Sequence, residues 1–211
     1  MKLNTQPYKG ARDFYPEDKR VQTWMFDKWR RVVEKYGYEE YSAPIVEPTD
    51  LYKIKGSQEI IEEQTYTFQD RGERSVTLRT EMTPSVSRMI AARRQELHYP
   101  ARWYSIPNLW RYERMQRGRL REFWQLNVDL FGVSTISAEL EMLQISDDIM
   151  QSFKAHRRDY VIKINSRLFV QELFRKVFGM DETETEQIIR LIDTLHKTDE
   201  SEFLHKLDAL T

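Results

Sequence analysis

Between Arg121 and Gly132 the chain reads Arg-Glu-Phe-Trp-Gln-Leu-Asn-Val-Asp-Leu-Phe-Gly, and this period-two pattern narrows the possible folds more than any other segment. Side chains on a strand alternate between its faces. Phe123, Gln125, Asn127, Asp129 and Phe131 therefore share one face, and Trp124, Leu126, Val128 and Leu130 share the other. The second set is a core face. The first is a row of amides and one carboxylate set between aromatics. Polar groups buried in such a row cost about 1–3 kcal/mol each unless they find partners. A solvated outer face is the plain reading. The flanking phenylalanines argue instead for a lined cleft.

A second strand, at about 102–114, carries the same pattern: Arg111 and Glu113 share one face, Trp110 and Tyr112 the other. Pairing it with 121–132 brings Arg111 and Glu113 close to Phe123 and Gln125. The intervening loop, Met115 to Leu120, is basic. Arg111, Arg114, Arg117, Arg119 and Arg121 place five arginines in eleven residues. Guanidinium forks match phosphate oxygens, and Phe123 offers a flat surface for stacking. Together these suit a nucleoside triphosphate; an exposed basic hairpin is the alternative. The glycine-rich loops that usually cradle phosphates are missing from the sequence, so phosphate binding falls to the arginines.

Elsewhere the chain reads as an α+β protein, an antiparallel sheet flanked by helices and followed by a helical segment. Pro16-Glu17-Asp18 opens a helix with Met25, Trp29, Val32, Val33 and Tyr36 on one face and Gly37 as its C-cap. Tyr38 to Val46 is strand-like, with Pro44 marking an edge or an interruption. Residues 65–79 form a hairpin around Asp70-Arg71-Gly72-Glu73. Thr83-Pro84 opens a helix running to about Leu97. Ser134 or Ser137 caps the next, whose apolar residues include Leu140, Leu143 and Ile149. Tyr160 to Ile164 is a short strand. In Leu78–Thr83, between strand and helix, Glu81 either binds an ammonium group or favours the helix dipole. After Asn165-Ser166 the text turns aliphatic, charged and helical, which sets domains of 1–166 and 167–211.

Net charge is −1, so any nucleic-acid contact must rest on local basic patches. Without cysteine there is no disulfide and no thiolate ligand. His98, His156, His196 and His205 are scattered through charged text and read as surface residues, so no metal site is expected. The N-terminus has no apolar signal region, and no run approaches the roughly 20 apolar residues of a membrane span. The expectation is a cytoplasmic protein with no membrane contact.

Three segments, in order, resemble class II aminoacyl-tRNA synthetases, and histidyl-tRNA synthetases in particular. YGYEEYSAPIVEPTDLY (36–52) looks like motif 1, with Pro44 at its proline. TLRTEMTPSVSRMIA (77–91) looks like the histidine-binding segment. WYSIPNLWRYERMQRGRLREFWQLNVDLFGV (103–133) looks like motif 2, in the form Arg-x-Glu, loop, Phe. KGARDFYPED (9–18) fits the family's opening, and the resemblance runs over about 8–166.

That resemblance implies roles. Arg111, the catalytic residue, would contact the ATP α-phosphate and the substrate carboxylate. Glu113 would accept from the adenine amino group, and Phe123 would stack on the ring. Arg121 and Arg119 would hold the outer phosphates. Glu81, Thr83 and Gln125 would bind the histidine α-amino group. Asp129 would face the imidazole, where the family often has Glu; Thr80 stands where it often has Pro. ATP with Mg²⁺, histidine and a histidine-specific tRNA would be the ligands, with a homodimer built through motif 1. A second arginine motif, a motif 3 and an anticodon-binding domain are not found, so the resemblance implies a fragment with weak or no aminoacylation by itself. Two alternatives stay open. One is the regulatory subunit of ATP phosphoribosyltransferase, a non-catalytic synthetase paralogue, although Glu81 with Arg111, Glu113 and Gln125 favours a synthetase. The other is a plain RNA-binding module using the arginine hairpin.

Overall fold

The computed structural model describes residues 4–53, 64–194 and 199–208. It divides into two compact units, Met1–Tyr160 and Val161–Thr211.

The first unit begins with α1 (Pro16–Lys35), which has Pro16 in its first turn and Glu17 and Asp18 beside it. A fixed proline φ and acidic side chains both favour a helix start. Gly37 ends it: at φ +78° its N–H returns to the Glu34 carbonyl at 3.0 Å, a backbone state few other residues tolerate. The buried stripe is Gln22, Phe26, Val32 and Val33. Met25, Trp29 and Tyr36 are only half-buried. The expected face is thus rotated by about one residue, because Phe26 turns inward and stacks on Trp29 at 5.4 Å.

The strand-like stretch from Tyr38 to Val46 is interrupted, with β1 (Glu39–Glu40) and β2 (Val46–Pro48) on either side of Pro44. After α2 (Asp50–Lys53), β3 (Thr67–Gln69) and β4 (Ser75–Leu78) make the expected hairpin, and β2 joins β4 antiparallel. Asp70 closes the turn by accepting the N–H groups of Gly72 and Arg74 on one carboxylate oxygen, at 2.8 and 3.0 Å. The helix opened by Thr83-Pro84 is α3 (Thr83–Ala92); it stops short of Leu97, and the chain continues in turns with Glu96 N–H bonding the Arg93 carbonyl.

The long hairpin exists, but both arms are broken. Its base pairs β5 (Ala101–Ser105) with β8 (Asn127–Phe131), and its tip pairs β6 (Asn108–Trp110) with β7 (Glu122–Trp124), all antiparallel. The break falls at Ile106-Pro107 and Gln125-Leu126. Proline has no N–H to give to a ladder, so only the Gln125 N–H spans the gap, to the Pro107 carbonyl at 3.3 Å. β1 adds to β5 in parallel, giving the order β1-β5-β8.

One face of this sheet is a core. Val32, Val33, Tyr38, Tyr104 and Ile145 are buried together, with Leu126 and Val128 packed on them. α1 and α4 (Ser137–Ser152) supply the helical side. Neither Ser134 nor Ser137 caps α4: Ile136 holds the cap position, and the Ser137 hydroxyl bonds Thr135 instead. Of the expected stripe Ile149 packs on the core, beside Met142 and the buried Ile145, whereas Leu140 is 51% exposed. Trp124 leaves the expected core face, meeting Phe14 edge-on at 5.1 Å, because the break at Gln125-Leu126 reorients β7.

Tyr160 to Ile164 has no regular secondary structure and is not the expected strand. Val161 is 82% exposed and Ile164 71%. β-branched residues favour strands only where a neighbour completes the ladder, and among the described residues none does here. The second unit holds α5 (Arg167–Lys176), α6 (Glu182–Thr194) and α7 (Glu200–Asp208). Ser166 caps α5. A reciprocal pair of bonds between Asp181 and Glu184 starts α6. Thr185, Ile188 and Leu191 are its buried residues. No helix among the described residues is long and apolar enough to cross a membrane.

Candidate active site

Arg79 is the pin of the site. It ends β4 and is 7% exposed. Its Nη1 donates to the Ala43 carbonyl at 2.7 Å, Nε to the Asn108 carbonyl at 2.9 Å, and Nη2 to Asn108 Oδ1 at 3.1 Å. Its backbone bonds Ile45 and Trp110. One buried guanidinium thus ties the segment after β1 and the start of β6 to the end of β4. Burial pulls its pKa below the usual arginine value, but three carbonyl oxygens satisfy it. Below it, Ala43, Met82 and Leu109 form a small core against which Tyr41 and Phe123 pack.

On this base the chain turns through Thr80, Glu81 and Met82 into α3. Met82 is 1% exposed and Glu81 half-buried, while Thr83 is exposed at the helix start. The Thr80 carbonyl accepts from Arg111 Nε at 3.0 Å. Arg111 sits just past β6, where its N–H meets the Arg121 carbonyl at 2.9 Å. In the β6–β7 register Leu109 faces Phe123, and Arg111, two residues on, shares that side. Its guanidinium carbon lies 5.4 Å from the Phe123 ring centre. Glu113 follows, with one carboxylate oxygen 3.1 Å from Arg119 and the other 4.0 Å from Arg111.

The structure therefore brings Arg111, Glu113, Arg119 and Phe123 into one cluster and links it to Glu81 through Thr80. The Arg121 side chain touches that cluster only through Nε, which donates to the Glu113 backbone carbonyl at 3.4 Å. Its guanidinium stacks over Tyr112 at 3.9 Å and reaches the Tyr8 hydroxyl at 3.3 Å. Its side chain lies against Gly10, where any Cβ would come within 2.6 Å of it and φ is +94°; glycine is required there. Tyr8, Tyr66, Trp110 and Tyr112 form the aromatic shelf it joins. Arg114 and Arg117 are exposed on the loop.

Beyond the break, the polar row continues. Gln125 is exposed and donates to Asn127 Oδ1 at 3.1 Å. Asn127 Nδ2 is buried without a partner among the described residues. Asp129, paired in register with Trp103, accepts from the Tyr41 hydroxyl at 3.1 Å. Burial pushes the Asp129 carboxyl above the usual carboxylate range, and the Tyr41 bond offsets part of that rise. A cleft of about 440 Å³ runs alongside, lined by Tyr41, Arg79, Met82, Ser105, Asn108 and Trp124 among others.

Two residues of the site, Tyr41 and Arg79, were not among the candidates from sequence. The signal for Arg79 is a lone arginine closing the strand text SVTLR. For Tyr41 it is position: Glu39 and Glu40 pair with Trp103 and Tyr104, so the next residue lies beside β5 near Ser105.

A family model described as histidyl-tRNA synthetase matches residues 10–209. A histidine–tRNA ligase of Leptospira biflexa serovar Patoc is 45% identical over 97% of this chain and 47% of its own length. One of Haloarcula marismortui is 38% identical over 94% of this chain and 45% of its own. The chain spans about half the length of these curated relatives. The crystal structure of histidyl-tRNA synthetase from Nostoc sp. PCC 7120 superposes with a TM-score of 0.78 at 26% identity, covering 98% of this chain and 47% of that one. A Bacillus halodurans structure, described as an ATP phosphoribosyltransferase regulatory subunit/histidyl-tRNA synthetase, has a TM-score of 0.81 at 21% identity, covering 99% of this chain and 52% of that one; this likeness is one of fold.

Proposed function

The chain belongs to the histidyl-tRNA synthetase family, and from that premise we propose that its broken hairpin activates histidine with ATP for transfer to a histidine-specific tRNA. In this reaction a histidine carboxylate oxygen attacks the ATP α-phosphorus. A new P–O bond forms, the bond from the α-phosphorus to the bridging oxygen breaks, and pyrophosphate leaves with that electron pair. The histidyl group later passes to tRNA: a tRNA hydroxyl oxygen bonds the histidyl carbonyl carbon and gives up its proton, the bond from that carbon to the phosphate oxygen breaks, and AMP leaves with the electron pair.

The observation that carries the proposal is the bond from Arg111 Nε to the Thr80 carbonyl. It sets one guanidinium between the Phe123 ring and the peptide next to Glu81. With Nε occupied, the remaining N–H groups of Arg111 are available to an α-phosphate oxygen and a substrate carboxylate at once. A preorganised cation placed there lowers the barrier as charge builds on the phosphorus, and holding both reactants supplies orientation. Glu113 accepts from the adenine amino group while Phe123 stacks on the ring. Arg119, 64% exposed, exchanges Glu113 for the outer phosphates. Arg121 reaches those phosphates only by leaving Tyr112. Glu81, Thr83 and Gln125 take the α-amino group, and Asp129 takes an imidazole N–H. Mg²⁺ bound with ATP would offset the phosphate charge. Among the described residues no cluster of three or more His, Asp or Glu side chains could hold a metal ion. A homodimer through residues 36–52 belongs to the same proposal.

The test is exchange of labelled pyrophosphate into ATP. This chain alone is expected to give weak exchange or none. Joined to the remaining half of a relative's length, it is expected to exchange only when histidine is present. Histidine binding without exchange in that longer protein would favour a regulatory, non-catalytic role. Exchange indifferent to histidine would overturn the proposal.

A further inference from the structure

We propose that Tyr41 is a positioning residue that fixes the plane of the Asp129 carboxylate and leaves its second oxygen to receive one N–H of the ligand's ring. The inference rests on the reading of Asp129 as the imidazole contact and adds the group that prepares it.

Tyr41 is held from three directions. Its backbone N–H bonds the Tyr104 carbonyl at 2.8 Å. Its ring lies against Trp103, with centres 5.7 Å apart, and packs on the buried group of Ala43, Met82 and Leu109. The hydroxyl therefore has little freedom, and it is spent on Asp129 Oδ2 at 3.1 Å. An ionised carboxylate only accepts, so the proton in that bond belongs to Tyr41. One oxygen is then fixed, and among the described residues no hydrogen bond engages the other, Oδ1, which is left for a donor.

The surroundings make a second donor valuable. On the Asp129 side of the sheet the register places Asn127, Phe131, Trp103 and the carboxylate of Glu39, and Tyr41 bonds Asp129; none of these is a cation. The cation whose charge acts on Tyr41 is Arg79, which is already tied to Ala43 and Asn108. The titratable groups behind the sheet are committed to each other. Tyr38 bonds Glu141 at 2.7 Å, and Arg102 meets the same carboxylate at 2.9 and 3.0 Å. A half-buried carboxylate with a single donor gains most from a neutral or charged ring N–H, and least from an apolar or acceptor group. Burial raises the Asp129 pKa and the Tyr41 bond lowers it, so Tyr41 also keeps the carboxylate ionised as the pH falls.

The experiment uses the full chain with Tyr41→Phe and Asp129→Asn, titrated with histidine by calorimetry between pH 5 and 8. The Asp129 carboxyl is titrated in parallel by carbon NMR, without ligand. Tyr41→Phe is expected to weaken histidine about tenfold, the size of one hydrogen bond to a charged group. It should also raise the Asp129 midpoint and move the acid limb of histidine binding up with it. Unchanged affinity and an unchanged midpoint in Tyr41→Phe would overturn the role of Tyr41 and leave that of Asp129 standing. Should Asp129→Asn bind histidine as the unaltered chain does, the imidazole contact itself is wrong. If the unaltered chain binds no histidine, the titration is repeated in the longer protein, where no binding overturns the histidine reading, and the carboxyl midpoint still decides the Tyr41 role: raised in Tyr41→Phe supports it, unmoved overturns it.

Discussion

At the loop end of the hairpin Glu113 stands between two arginines, 3.1 Å from Arg119 and 4.0 Å from Arg111. At the sheet end Asp129 has a tyrosine hydroxyl at 3.1 Å, and burial drives its pKa up. The two carboxylates belong to one supersecondary element and live in opposite electrostatic settings. Around Glu113 charges are many, close to solvent and exchangeable; Arg119 is 64% exposed. Such a site suits a polyanion that must enter and leave. Around Asp129 the partners are few and fixed by packing. Such a site suits the choice of one N–H over its isosteres. The break at Pro107 and Gln125 separates the two settings, since it lets the tip and the base of one hairpin face different surroundings.

Removing the link between the ends should have the largest effect. Arg111→Ala is expected to lower ATP-dependent activation about 10²- to 10³-fold, the loss seen when one preorganised transition-state donor is removed. Pyrophosphate exchange in the longer protein reads it, and a loss under tenfold would separate Arg111 from the reaction. Arg79→Met should break both ends at once. It leaves the Ala43 carbonyl, the Asn108 carbonyl and Asn108 Oδ1 without their donor, a cost of about 3 kcal/mol, measured by urea unfolding. Stability within about 0.5 kcal/mol of the unaltered chain would show that Arg79 pins nothing.

Asp129→Asn sharpens the comparison through stability. The folded-state pKa of Asp129 is raised, so ionisation opposes folding. That penalty is absent below the unfolded carboxyl pKa of about 3.9 and complete above the folded value. The variant should therefore melt higher than the unaltered chain near pH 7, with the difference closing as pH falls towards 3.9. A lower melting point at pH 7 would contradict the dry setting assigned to Asp129. The smallest effect belongs to Arg119→Ala, an exposed pair worth about 0.2–1 kcal/mol. ATP affinity should fall by a few fold and the loss should shrink as salt rises. A large, salt-independent loss would place Arg119 in a fixed site like that of Asp129.

Much of this arrangement is written in alternation. The parity of 121–132 put Phe123 with Arg111 and Glu113, and the register Leu109 to Phe123 agrees. The turn at Asp70 was legible because its chemistry is local, two N–H groups on one side chain. The contributions of Tyr41 and Arg79 are long-range: the Tyr41 hydroxyl meets a carboxylate 88 residues away, and Arg79 bonds residues 29 and 36 positions distant. No periodicity encodes such contacts. Pro107 was visible, but its consequence for Trp124 required the paired strand. The resemblance implied that Arg121 holds the phosphates, whereas in the structure its side chain lies on the Tyr112 ring, the Tyr8 hydroxyl and Gly10. Tyr160 to Ile164 failed as a strand because strand-forming residues need a ladder partner as well as composition.

The central claim, that one hairpin binds ATP at its tip and histidine at its base, is tested most directly by calorimetry on this chain. ATP and histidine are each titrated into the unaltered protein, Arg111→Ala and Asp129→Asn. The account predicts that Arg111→Ala loses ATP, and that Asp129→Asn loses histidine while binding ATP as before. Retention of ATP in Arg111→Ala, loss of ATP in Asp129→Asn without unfolding, or retention of histidine in Asp129→Asn would contradict it.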